Sequence, residues 1–100
     1  MGRRVAETAE VENFRHQVRA ARDWLERAPH DDLAWRQAAS SSDTLALATL
    51  EQLEDLGQRI THVLTEWSAE CNADQRQRPD AVRRPVRAIS RVFPSGAVRP

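Results

Sequence analysis

The chain has 100 residues, of which 40% are apolar and 30% charged, as is typical of one soluble globular domain rather than a fully disordered chain. One cysteine excludes an intramolecular disulfide framework, and no apolar run approaches the roughly 18 residues that span a bilayer. Residues 1–9 also lack the apolar core of a signal peptide, so we expect a cytoplasmic protein with no membrane partner.

The formal net charge of zero conceals an asymmetry between the two ends of the chain. Residues 1–71 carry eight arginines against thirteen carboxylates, a net charge of −5. Residues 72–100 carry seven arginines against Asp74 and Asp80, a net charge of +5. The sequence therefore predicts an acidic body followed by a basic tail, which binds either an anionic partner or the body itself.

Helical periodicity dominates the first 72 residues. The longest pattern predicts a central helix over about 43–71, capped by the serines and aspartate of residues 40–43. Its apolar residues recur three or four apart and form what we call the central stripe: Ala46, Leu50, Leu53, Gly57, Ile60, Leu64, Trp67 and Cys71. We expect Leu53 and Ile60 to be buried at its middle, and Cys71 to be a small buried apolar residue.

A second amphipathic helix is predicted over about 8–28, with a similar stripe formed by Val11, Phe14, Val18, Ala21, Leu25 and Ala28. Pro29 ends it, and residues 32–39 follow as a short connecting helix. The fold class is therefore all-α. We predict an antiparallel helical hairpin or three-helix bundle as the domain over residues 1–72.

The basic tail over 73–100 is predicted to contain a short amphipathic segment that forms either two single-turn pieces or one helix at about 85–93 starting at Pro85, followed by a disordered end from residue 94. Its candidate binding residues are Arg83, Arg84, Arg87 and Arg91. They are compatible with a sequence-independent nucleic-acid arm, with a membrane-surface helix that is short and broken by proline, or with packing on the body or a protein partner. We favour the last hypothesis, because it uses both the apolar and the basic residues.

No residue pattern predicts an enzyme, a cofactor or a metal site. His62 and Glu66 lie one helical turn apart, but the periodicity places His62 and His16 on outward faces, where no third ligand converges. The serines at 40–42 have no base placed to activate them. We therefore expect solvent-exposed histidines, with serines that act as hinge and cap.

The six residues from Phe14 to Arg19 resemble the phosphoacceptor helix of sensor histidine kinases, in which an exposed histidine lies on a helical hairpin. The resemblance would give His16 a phosphotransfer role. This sequence lacks three features of that family: the acidic residue after the histidine, the proline a few residues later and an ATP-binding domain. A surface histidine is therefore the favoured interpretation of His16.

The central helix predicted over residues 43–71 is longer than the helix predicted over 8–28, with which it would pair. The apolar side chains of its last turns therefore need to pack against another part of the chain or a second chain. The candidate interface residues there are Leu64, Trp67 and Cys71. We expect a small non-enzymatic protein that mediates or regulates protein–protein interaction, with itself as a homodimer or with a protein partner. The alternative is an accessory nucleic-acid-binding protein that uses the arginine-rich tail.

Overall fold

The computed structural model describes the backbone of residues 3–96 and the side chains of residues 8–96. Within the described backbone there are three α-helices and no strand: α1 (Arg3–Arg27), α2 (Leu33–Ala38) and α3 (Leu50–Gln77). A 3₁₀ turn, Ala28–His30, follows α1 directly. The predicted all-α class is confirmed.

The chain forms two compact units, Met1–Thr44 and Leu45–Pro100. Helices α1 and α2 belong to the first unit, and α3 with the following segment belongs to the second. The antiparallel hairpin or bundle stays a prediction, as does the domain boundary at residue 72. Helix α3 continues through that residue to Gln77.

In the first unit, α1 begins at Arg3, before the predicted start at residue 8. Residues 3–7 contain arginine, alanine and glutamate but no glycine or proline, so nothing in their propensity stops the helix. Pro29 lies at the start of the 3₁₀ turn, and its carbonyl oxygen accepts a hydrogen bond from Arg36 Nη1 at 3.1 Å. This bond joins the turn at the end of α1 to α2. The short connecting helix predicted over residues 32–39 is confirmed to within one residue at each end.

The less exposed side chains of α1 are not those of its predicted stripe. Val18 is 38% exposed and Leu25 is 70% exposed. The half-buried residues of α1 and the 3₁₀ turn lie on a neighbouring face: Gln17, Ala20, Trp24 and Ala28. The Arg27 guanidinium lies 5.5 Å from the ring centroid of Trp24, a cation–π contact that shields this face.

Helix α3 begins at Leu50, seven residues after the predicted start. Thr49 is its N-cap: Thr49 Oγ1 accepts a hydrogen bond from Gln52 N at 3.2 Å, and Gln52 Oε1 accepts one from Thr49 N at 2.9 Å. This reciprocal capping box satisfies two backbone donors and fixes the helix start. Residues 39–49 are non-helical, so Ala46 lies outside the helical part of the central stripe.

The C-terminal end of α3 lies at Gln77, six residues beyond the predicted end. Residues 73–77 include alanine, arginine and two glutamines, which favour helix. Helix α3 stops where Pro79 removes a backbone donor, and Arg78 N donates to Asp74 O at 2.7 Å as the last helical bond. Asn72 is therefore an interior residue.

The predicted tail helix over 85–93 is wrong, because residues 82–94 contain no helix. Pro85 and Pro94 leave eight residues between them, too few to offset the cost of starting a helix, and three of these are β-branched. The segment is irregular and extended instead. Residues 97–100, which include most of the predicted disordered end, lie outside the described residues.

Burial also differs from the expectation. Among residues 8–96, none is fully buried. The middle of the central stripe is half-buried rather than buried, at Leu53, Gly57, Ile60 and Leu64. Trp67 is 42% exposed, and Cys71 is exposed rather than a buried apolar residue. One helix with a short irregular segment beside it supplies too few neighbours to enclose a side chain, since a fully buried residue touches 6–12 others.

Candidate interaction surface

The helical part of the central stripe is the main apolar feature of the second unit. Spacings of three and four residues keep its members on one face of α3, because 3.6 residues make one turn. Its half-buried members are flanked by exposed large apolar side chains of the same unit: Leu50, Leu56, Val63 and Trp67. This face can bury apolar area against another helix.

A shallow, open groove runs beside the stripe on α3. Its lining residues are Leu53, Glu54, Gly57, Gln58, Thr61, His62, Thr65 and Val92. Val92 comes from the extended segment after α3, which therefore returns to the middle of the helix. At Gly57 an added Cβ would meet no atom within 4 Å, so the glycine leaves open space in the groove floor.

The chain reverses after α3 through a compact set of polar contacts that we call the clamp: Asp74, Arg78 and Arg83. Arg78 Nε and Nη2 each donate to a carboxylate oxygen of Asp74 at 2.8 Å, a bidentate pair. Arg83 Nη1 lies 2.9 Å from Asp74 Oδ2. The second Arg83 nitrogen, Nη2, donates to the backbone oxygens of Asp74 at 3.0 Å and Arg78 at 2.7 Å.

The clamp is an electrostatic cap on the C-terminal end of α3. Arg83 adds a second donor to two carbonyl oxygens at the helix end, those of Asp74 and Arg78, each of which also accepts a backbone N–H, and its positive charge interacts favourably with the helix dipole. Hydrogen bonds from Arg78 and then Arg83 lower the pKa of Asp74 from 3.8 to about 2. The same contact with Asp74 raises the pKa of Arg78.

The four candidate arginines of the tail have different environments. Arg83 is held in the clamp, with its side chain 30% exposed, and Arg84 is half-buried. Arg87 and Arg91 are exposed. Binding of a phosphate by Arg83 would have to compete with Asp74. The sequence pattern assigns Asp74 to the basic tail and misses its role; the spacing of four residues between Asp74 and Arg78 is the available signal.

The candidate interface residues Leu64, Trp67 and Cys71 lie along one face in the C-terminal half of α3. Leu64 is half-buried, whereas Trp67 and Cys71 are exposed in the chain. A second shallow groove lies beside them, lined by Thr61, Leu64, Thr65, Ser68, Ala69 and Asn72. Leu64 and Trp67 present apolar area at the helix surface, which is a requirement for a helix-packing site.

The histidines do not form a metal site in the part of the chain that the structure describes, where no three His, Cys, Asp or Glu side chains converge. His62 Nε2 lies 3.2 Å from Glu66 Oε1, an exposed contact within one helix. His16 is exposed on α1.

None of the helices in the described residues has the length and apolar character needed to cross a membrane. Chemically, the second unit offers an apolar helix face, a groove beside it and a basic segment fixed by the clamp. Comparison of the chain with protein-family models, with curated proteins and with solved structures finds no match.

Proposed function

We propose that this protein is a small non-enzymatic interaction or regulatory protein that docks through the apolar face of α3, with a second copy of itself as the first partner. The observation that supports this most directly is burial. Among residues 8–96 no side chain is fully buried, although 40% of the chain is apolar.

Exposed apolar surface on this scale favours association. Large apolar patches on soluble proteins mark interaction sites, and a 100-residue chain is near the size at which a second chain often completes a core. The face from Leu53 to Trp67 has the spacing that packs against another helix. A two-fold symmetric contact would place the same face of both copies together, with Leu64, Trp67 and Cys71 in the contact.

The predicted hairpin fits the same proposal. Two helical hairpins that pair through their stripes would form a four-helix bundle, in which side chains half-buried in one chain become core residues. The short α2 and the extended residues 39–49 would then act as the connection between the long helices.

Sedimentation equilibrium of the full chain tests the proposal. We expect a dimer at micromolar concentration and a monomer for Trp67→Glu, because that substitution forces a charge into the apolar contact. Arg59→Glu is the control: it introduces the same glutamate on the side of α3 away from both grooves, where the Arg59 side chain is exposed, and should leave the dimer intact. A monomeric mass at all concentrations, or equal effects of the two substitutions, would contradict self-association.

The second candidate is an accessory nucleic-acid-binding protein, and the composition of the extended segment favours it. Residues 81–96 contain four arginines and no carboxylate, and Arg87 and Arg91 are exposed. Contacts with phosphates would be independent of sequence and would weaken as salt is raised. Glutamine at all four arginines should abolish such binding; unchanged affinity would exclude this function.

A further inference from the structure

The chain reverses direction at the end of α3 through a tight turn. Ala81 N donates to Arg78 O at 3.2 Å, which closes a four-residue turn with Pro79 at its second position. Proline is favoured there because its ring already fixes the required φ. Arg83, two residues after the turn, binds back to Asp74 inside the helix. The turn and the clamp therefore direct the following residues back along α3.

The segment after α3 is long enough to reach the middle of the helix. Helix α3 rises about 1.5 Å per residue, so Gly57 lies about 32 Å before Arg78 along the axis. Fourteen extended residues from Arg78 to Val92 span at most about 50 Å. An extended segment can therefore follow the helix to its middle, whereas the same residues coiled as a helix would fall short. The observed position of Val92 in the groove with Leu53 and Gly57 agrees with this path.

Helix α3 and the segment that follows it have complementary charges. Helix α3 carries six carboxylates against two arginines, and residues 82–96 carry four arginines and no carboxylate. The exposed fraction of the valines and the isoleucine decreases from Val82 at 84% to Ile89 at 42% and Val92 at 38%, whereas Phe93, just after Val92, is 63% exposed. Charge attraction and apolar contact thus favour the same arrangement.

We propose that residues 82–96 form a strap that covers part of the central stripe, and that the clamp controls how often the strap lifts to open that stripe for docking. The strap limits access to the apolar face of α3, through which the protein docks in the proposed function. Only this regulation of docking rests on the proposed function. Coverage of α3 by the strap is a property of the single chain and can be measured without any partner.

Chemical crosslinking in the full chain tests the coverage. Cysteines at Thr61→Cys and Val92→Cys, in a Cys71→Ser background, should be joined within one chain by a short bis-maleimide. The control pair is Arg59→Cys with Val92→Cys, because Arg59 lies on the other side of α3 at a similar separation in sequence. If both pairs react equally at dilute protein concentration, the strap does not lie in the groove and the proposal is overturned.

Release of the clamp tests the control. Arg83→Gln should raise the equilibrium constant for opening of the strap about two- to fivefold, the range expected for loss of an exposed ion pair, and should thereby lower the Thr61–Val92 crosslinking rate and increase binding of an apolar fluorescent dye. Arg87→Gln removes the same charge from the strap outside the clamp and should have a smaller effect on both. Equal effects of the two substitutions, or an unchanged crosslinking rate, would overturn the role of the clamp.

Sedimentation of the same variants distinguishes failure of this proposal from failure of the proposed function. A strap that lifts without any dimer forming would contradict self-association alone.

Discussion

At the scale of single residues, Asp74 has the most distinctive environment in the described part of the chain. One carboxylate accepts hydrogen bonds from Arg78 and lies in an ion pair with Arg83. Both guanidinium groups favour its ionised form. Because the folded pKa is below the unfolded one, the contribution of Asp74 to stability is fully present above about pH 4 and is lost as the pH falls toward 2.

A carboxylate titration followed by NMR measures this effect. We expect the Asp74 side chain to titrate at about 2. Arg78→Gln should raise its pKa more than Arg83→Gln does, because Arg78 makes the larger contribution. An Asp74 pKa close to 3.8 in the unsubstituted chain would mean that the clamp does not form in solution.

At the scale of elements, the start of α3 gives the sharpest prediction. Thr49→Ala removes the hydroxyl that accepts from Gln52 N, and loss of an N-cap costs about 0.5–2 kcal/mol. Thr44→Ala is the matched control, because Thr44 lies in the non-helical segment before α3 and should cost almost nothing. Urea unfolding followed by circular dichroism compares the two. A larger loss at Thr44 would instead support a helix that starts near residue 43.

Gly57 gives a second prediction at this scale. Alanine stabilises a helix interior by about 1 kcal/mol over glycine, and at this position the added methyl group would meet no atom within 4 Å. Gly57→Ala should therefore raise the free energy of unfolding by up to about 1 kcal/mol in dilute protein. A loss of stability would indicate that another group already occupies the open space at Gly57.

The elements also show which parts of the fold were predictable. Three helices and the phase of the central stripe follow from periodicity, because one face of a helix must meet apolar surroundings. The boundaries of α3 do not: the Thr49–Gln52 capping box was readable in the sequence but competed with the serines and aspartate of residues 40–43. The helix predicted over 85–93 was wrong because the prediction followed the helical spacing of the apolar residues there, Val82, Val86, Ile89 and Phe93. Pro85 and Pro94 prevent that helix.

The candidate site was predictable only in part, for a reason that concerns distance along the chain. Leu64 and Trp67 belong to one helix, so their shared face follows from spacing alone. The groove needs Val92 beside Gly57, and the clamp needs Arg83 beside Asp74. Both contacts depend on the direction in which the chain leaves α3. The four-residue turn after α3 sets that direction, and the periodicity of apolar residues does not reveal it.

At the scale of the whole molecule, the lack of fully buried side chains among residues 8–96 has a consequence for stability. A chain that completes its core with a second copy gains stability by mass action, because the dimer contains only folded chains. A hundredfold increase in protein concentration adds about 2.7 kcal/mol per dimer when association is tight. The unfolding midpoint should therefore rise as the protein is concentrated.

Ile60→Ala makes this dependence specific to the central stripe. Ile60 is half-buried in the single chain, so its truncation should cost about 1 kcal/mol in dilute protein, below the 2–5 kcal/mol typical of a fully buried isoleucine. In concentrated protein the same side chain would lie in the contact between copies, and the cost should approach the full range. Leu33→Ala, which truncates an exposed leucine of α2, should show a small cost that is independent of concentration. Thermal unfolding followed by circular dichroism over a wide concentration range compares the unsubstituted chain, Ile60→Ala and Leu33→Ala.

One result would mean that the stripe is not completed by a second copy. The unfolding midpoint of the unsubstituted chain would stay constant with concentration, and Ile60→Ala would cost the same in dilute and concentrated samples.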